Sequence, residues 1–273
     1  MVRHSRRGIL AGVAALGLAG CTGTDASGDR VSKSSERTLT APKQLAVTNE
    51  VGDVTVTGED RSDITLRVTR SGPASELDRL ELTTDRTDGT LTVIGEISDD
   101  KSIRNDFGLS LTVELRVPQT VAVRSVETVA GDVRLTDTKG APTVSATAGD
   151  VMIDGVDGTV SASTTTGDVT IREVTVVSNV EATAGQLSVD IASVQEETEV
   201  VTTTGDIGLA LASSLDATVE VTAETGDVSV SRLPLSVTET TTGAVADGTM
   251  GEGNKKLTVE TNVGDVALSR LES

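Results

Sequence analysis

The side chains in this sequence best placed to do chemistry are carboxylates. Aspartate follows glycine at Asp53, Asp132, Asp150, Asp168, Asp206, Asp227 and Asp265. Asp132, Asp150 and Asp168 form the longest regular run, spaced by 18 residues. Paired carboxylates serve acid–base chemistry on sugars or bind hard cations through oxygen. On adjacent strands such aspartates would stand ~4.8 Å apart. They would repel by about 0.9 kcal/mol in water, a repulsion that Ca²⁺ could relieve. Gln186 and Ala244 interrupt the row, and at molar salt the screening length falls to about 3 Å, so the row can persist without an ion. The leading reading is a turn whose carboxylates accept nearby backbone N–H groups, with no metal. A cation site at Asp132, Asp150 and Asp168 is the alternative.

Other chemistries find no residues. The one histidine is His4 and the one cysteine Cys21, which excludes His- and Cys-based nucleophilic catalysis or zinc binding beyond the N-terminal segment. "GEGNKK" lacks the Gly-Lys-Ser/Thr of a phosphate-binding loop. Sugar sites usually offer aromatic rings, and the chain has no Trp, no Tyr and a single Phe, Phe107. The expectation is a non-enzymatic protein without cofactors. A polysaccharide hydrolase or lyase using an aspartate pair is the rival from the enzyme class.

The charge balance narrows the partners. The 273 residues carry 42 acidic and 23 basic side chains, a net charge of −19. Such a surface repels phosphate backbones, so nucleic-acid binding is not expected. Acidity with few lysines and few large apolar groups points to a halophilic protein.

The N-terminus reads as an address. Arg6 and Arg7 precede an apolar run from Ile9 to Leu18, which ends in Leu18-Ala19-Gly20-Cys21. A basic start, a short apolar run and small residues make a signal peptide, and the run is too short to span a bilayer as a helix. The paired arginines resemble a twin-arginine export signal, and "LAGC" resembles a lipobox, with Cys21 as the lipidated residue. Residues 1–20 are thus read as signal peptide. Residues 21–37 are read as lipidated cysteine plus a Gly/Ser-rich flexible tether. The implied place is the outer face of the cell membrane, held by the lipid.

What must position the aspartates is a repeat. Glycines at 52, 131, 149, 167, 185, 205, 226, 243 and 264 centre nine similar units, and from Gly131 the mean spacing is 19. Two residues after each glycine stands an aliphatic residue; four after it, eight of nine are aliphatic; five before it, seven are Val. Polar residues alternate between them, so each unit holds two short strands. Val and Thr suit strands through their branched side chains. Nineteen residues are too few for a propeller blade but suit one coil of a solenoid, each coil covered by its neighbours. The expected fold is all-β: a single-stranded right-handed parallel β-helix, with coils stacked in chain order. Gly131, Gly149, Gly167, Gly205, Gly226 and Gly264 would be the corners, tolerating positive φ. Thr147, Thr165, Thr183, Thr203 and Thr241 would form an outer hydroxyl ladder. Residues 38–125 depart from the period and are read as a cap of longer coils and hairpins, including one around Asp88-Gly89; residues 126–273 are read as the regular stack.

The stretches "VELRVPQTVAVRSVETVAGDVRL", "TVSATAGDVMIDGVDGTVSASTTTGDVTI" and "VTAETGDVSV" resemble a bacterial and archaeal family of unknown function described as adhesins with β-strand repeats. The resemblance covers roughly residues 40–270. It implies a surface-exposed β-helix and supplies no catalytic residues. The combined expectation is a lipid-anchored surface protein with an adhesin-like or envelope-scaffold role, whose partner is an envelope protein or polysaccharide.

Overall fold

The structure is a computed structural model and describes residues 30–98 and 108–272. Arg6, Arg7 and Cys21 lie outside the described residues. Period-two alternation of aliphatic and polar residues produces strands throughout. The strands assemble into two sheets, one of eleven strands and one of twelve, that enclose one aliphatic core. Among the described residues a 3₁₀ turn at Leu77–Arg79 stands apart from the strands, and no helix is long and apolar enough to cross a membrane.

Eight rungs repeat one plan: a strand in the twelve-stranded sheet, a glycine corner, and a strand in the eleven-stranded sheet. Neighbouring rungs pair in parallel, and equivalent residues meet. Val113, Val54, Val133, Val151, Val169, Leu187, Ile207, Val266 and Val228 form one continuous row of register partners. All nine are buried. In the facing sheet, Val47, Val126, Val144, Ala162, Val180, Val200, Val259 and Val221 form the corresponding row. No rung could bury its row alone; each is covered by the next, which is the solenoid principle.

The order of rungs departs from the expected one. Rungs 122–136, 139–154, 157–172, 176–191 and 197–211 stack in chain order. Beyond them chain order and stacking order part at both ends: at the N-terminal end the chain runs outward from an inner rung and then passes to its other side, and at the C-terminal end it skips a place and returns to fill it. At the N-terminal end, rung 44–59 lies between rung 122–136 and the later strands Thr90–Ile97 and Ser110–Pro118. At the C-terminal end, rung 256–270 lies between rungs 197–211 and 217–231.

The Gly243 unit is not a coil. Ala244–Met250 runs antiparallel to both Ala217–Thr225 and Leu235–Glu239, and Asp247 faces Glu220 at the solvent side. Both sheets are therefore mixed. The N-terminal end is closed by antiparallel pairing too: Arg30–Thr40 on Asp63–Pro73, and Asp63–Pro73 on Ser110–Pro118. A hairpin of Leu80–Thr87 and Thr90–Ile97 turns at Asp88 (φ 52°) and Gly89 (φ 82°), as a two-residue Asp-Gly turn requires. Residues 30–37, expected within the tether, are strand: all eight pair with Asp63–Pro73.

Candidate functional site

The glycine corners line up as a spine. Gly52, Gly131, Gly149, Gly167, Gly185, Gly205, Gly226 and Gly264 all have φ between 105° and 154°, the region that side chains with a Cβ rarely enter. Crowding is a second cause. A Cβ on Gly149 would fall 2.0 Å from the Gly131 carbonyl oxygen, and one on Gly167 would fall 2.1 Å from that of Gly149. The corner is glycine because the next rung's backbone occupies the space.

The aspartate beside each glycine latches one rung to the next. Asp53 Oδ1 accepts the Asp132 backbone N–H (3.0 Å), Asp132 that of Asp150 (2.9 Å), Asp150 that of Asp168 (2.8 Å) and Asp168 that of Gln186 (2.8 Å). Past Gln186 the row resumes, Asp206 accepting from Asp265 and Asp265 from Asp227, both at 2.9 Å. In the return direction Val133 N–H donates to the Asp150 carbonyl and Val151 N–H to that of Asp168, at 2.8 Å each. The carboxylates thus serve the neighbouring rung rather than their own bend. Each of these aspartates is exposed while one oxygen is engaged. Among the described residues no group of three or more His, Cys, Asp or Glu side chains is arranged to hold an ion, Asp132, Asp150 and Asp168 included.

A second row, absent from the sequence reading, lies just inside the corner. Three residues before each glycine stand Asn49, Thr128, Ala146, Thr164, Ala182, Thr202, Thr261 and Ala223. The threonines are buried. Each hydroxyl donates to the glycine carbonyl of the adjoining rung: Thr128 to Gly52 (3.3 Å), Thr164 to Gly149 (3.1 Å), Thr202 to Gly185 (3.2 Å) and Thr261 to Gly205 (3.1 Å). Asn49 Nδ2 donates to the Gly52 and Leu111 carbonyls at 2.7 and 2.9 Å. The signal was available in the parity. The position five before the glycine faces inward, so the position three before must also, and it is always a short side chain.

Outside the corner, Thr147, Thr165, Thr183 and Thr203 are exposed and in line, and no hydrogen bond joins one to the next. Thr241 lies in the turn before Ala244 and outside the row. With Ser145, Ser163, Glu181 and Glu199 they border a shallow groove of about 490 Å³. On the eleven-stranded sheet, burial raises the Asp190 carboxyl above its ordinary range, Arg172 works against that and Asp154 adds to it.

The loop before the C-terminal rung is fixed by Asp216. Its Oδ1 accepts the backbone N–H groups of Glu252 (2.8 Å) and Gly253 (2.7 Å), and its Oδ2 the Asn254 side-chain amide (2.7 Å). These bonds, the Asn254 amide first, hold the Asp216 carboxyl below the usual carboxylate range. Lys255 Nζ donates to the Val194 carbonyl at 2.7 Å, and Lys256 Nζ pairs with Glu220 at 2.8 Å.

Two mixed sheets of parallel rungs on one aliphatic core, latched at a Gly-Asp edge, define a β-solenoid-like protein. Residues 123–269, more than half of the sequence, match the Toastrack DUF4097 family, and the chain belongs to that family. No curated protein matches. Among solved structures, a candidate adhesin from Bacteroides fragilis is similar at 14% identity, over 90% of this chain and 100% of that one, with a TM-score of 0.45. A candidate lipid-binding protein from Parabacteroides distasonis is similar at 15% identity, over 88% and 97%, with a TM-score of 0.46. A candidate cell-adhesion protein from Clostridium sporogenes is similar at 12% identity, over 88% and 100%, with a TM-score of 0.32.

Proposed function

We propose that this is a non-enzymatic surface protein, exported by a twin-arginine signal at Arg6–Arg7, lipid-anchored through Cys21 and acting as an adhesin-like element or envelope scaffold. In this reading the rungs form a right-handed β-helix with coils of about 19 residues, and the acidic exterior is an adaptation to concentrated salt. The observation that carries it is the use made of the corner aspartates: six of the seven each give an oxygen to the backbone of the next rung. A row committed to holding rungs together is architecture. The surface it supports is the Thr/Ser/Glu groove, a hydroxyl- and carboxylate-lined face fitted to a polar envelope partner, protein or polysaccharide.

Crosslinking in intact cells followed by mass spectrometry tests the reading. A recurrent envelope neighbour attached near Thr165 or Thr183 is the expected result, and recovery of no specific neighbour counts against it. Replacing Cys21 by Ser is expected to release the protein from the membrane fraction. Turnover of an acidic polysaccharide, abolished by one aspartate substitution, would replace the scaffold by an enzyme.

A further inference from the structure

The acid excess is unevenly spread. Residues 30–125 carry 13 basic and 16 acidic side chains, residues 126–273 carry 7 and 24. Within the N-terminal part the cations divide by face. On the outward face Arg67 lies 3.6 Å from Glu36 and 3.8 Å from Glu114, and Arg116 lies 3.7 Å from Glu59.

The core-side face is different. Lys33, Ser35, Arg37 and Leu39 share a side with Arg70, Val68, Leu66 and Ile64, their register partners. Ile64, Leu66 and Val68 are buried. Arg30–Thr40 is the last strand of its sheet, as Leu80–Thr87 is of the other at the same end, so among the described residues no further rung covers these side chains. Arg86 stands on the core-side row of Leu80–Thr87, and its guanidinium donates to the Thr40 carbonyl. Arg70 Nε donates to the Leu80 carbonyl at 2.8 Å. Leu39 and Leu82 are half-buried among them. Among the described residues Lys33, Arg37, Arg70 and Arg86 form no ion pair. Arg37 is half-buried, and burial, then Arg70, lowers its pKa. Four uncompensated cations in so acidic a chain leave room for an anion from outside.

We propose that this end of the stack docks on a membrane, with Lys33, Arg37, Arg70 and Arg86 bound to the phosphates of anionic lipid headgroups and Leu39 and Leu82 between them. The inference rests on the lipid-anchored reading. Eight residues, nine Cα–Cα steps, separate Cys21 from Arg30, a reach of ~30 Å when extended, so a lipid on Cys21 keeps this end beside the bilayer. Guanidinium groups grip phosphate in two-pronged hydrogen bonds, and each cation near an anionic leaflet adds attraction. The competing account is that these charges merely keep an exposed edge strand from pairing with other chains.

The test uses the full-length chain with Cys21→Ser, which removes both lipid and native thiol. An environment-sensitive fluorophore is placed at Ser35→Cys on this end, or at Ser229→Cys at the opposite end. Vesicles are phosphatidylglycerol or phosphatidylcholine. The expected result is a blue shift at position 35 with phosphatidylglycerol, affinity about tenfold above phosphatidylcholine, and no shift at position 229. Raising NaCl from 0.1 to 1 M should shrink the preference without abolishing it, because phosphates held in direct contact are screened less than distant charges. Changing Lys33, Arg37, Arg70 and Arg86 to Gln should abolish it while the protein stays monomeric. Equal response to the two lipids, or equal response at both positions, overturns the proposal, even if the fourfold variant does not fold. Aggregation of that variant together with no lipid preference in the parent establishes edge protection instead. Incorporation of labelled lipid into the wild-type chain, lost in Cys21→Ser, tests the anchor separately, so either idea can fall without the other.

Discussion

The middle of the stack and its C-terminal end are built from the same rung and held differently. From residue 122 to residue 211 each rung lies on the one before it in the chain. Rung 217–231 touches the stack through rung 256–270, which arrives later in sequence and fills the gap on both sides. A middle rung can be thought of as added; an end rung is clasped. Similar side chains thus yield local, sequential contacts in one region and a non-local closure in the other, with the greater chain-ordering cost that long-range contacts entail.

Deleting residues 256–273 breaks this difference most severely. It removes Leu257, Val259, Val266 and Leu268, all fully buried, worth roughly 6 to 12 kcal/mol at about 1.5 to 3 each. It also leaves 217–250 without a neighbour. Amide exchange should show 212–255 unprotected while 122–191 keeps its protection; protection retained across 217–250 would contradict the clasp.

Next in size is the spine. Gly149→Ala should cost about 2 to 4 kcal/mol by chemical denaturation, since its Cβ meets a carbonyl and its φ is positive. Gly208→Ala, whose Cβ would come no closer than 3.9 Å to a neighbour, should change stability by less than about 0.5 kcal/mol. A smaller effect attends the buried threonines. Thr164→Val in the middle and Thr261→Val in the clasped rung should each cost about 1 kcal/mol for the lost hydroxyl bond. Ala182→Thr should be tolerated, because Thr202 and Thr261 already sit on adjacent rungs.

The smallest effect is one of pH. Asp216 has a folded pKa below its unfolded value. Its contribution is complete above about pH 3.9 and fades as pH falls through the folded value. Lys256 is raised by Glu220, so its contribution is complete below about pH 10.4 and fades as pH climbs through the folded value. Exchange protection at 252–258 should therefore fall at both extremes before that of 139–172, and the acid limb should vanish in Asp216→Asn. Simultaneous loss in both regions would argue against a separately latched end.

What the sequence made legible follows from this contrast. The inward rows at Val54, Val133, Val151 and their equivalents, the Asp88-Gly89 hairpin and the glycine corners were readable from period and residue type. The neighbours of Val266 were not. Every rung presents the same aliphatic pattern, so Ile207 and Val228 fit it no better on paper than any other pair; repetition that reveals a fold conceals the order of its parts. Gly243 counts as a ninth unit by its spacing, yet Ala244, Asp247 and Thr238 mark that unit as irregular, and only the pairing shows that it is not a coil at all. Residues 30–37 look like a tether because Lys33, Ser35 and Arg37 break the aliphatic row on the core side, leaving Val31 alone there before Leu39. Thr128, Thr164, Thr202 and Thr261 were overlooked because a hydroxyl was taken as a mark of the outside. The aspartates were recognised as backbone acceptors, but a turn viewed alone shows its own amides and not those of the rung above.

The clasped ends also decide where such a molecule can lengthen. A duplicated unit appended after residue 270 would find its berth already taken, and one placed ahead of residue 44 would meet a closed antiparallel lid. Between residues 139 and 211 a further copy could slip in with both lids intact, so longer and shorter versions of this architecture should differ by whole turns at its waist while their two extremities stay alike.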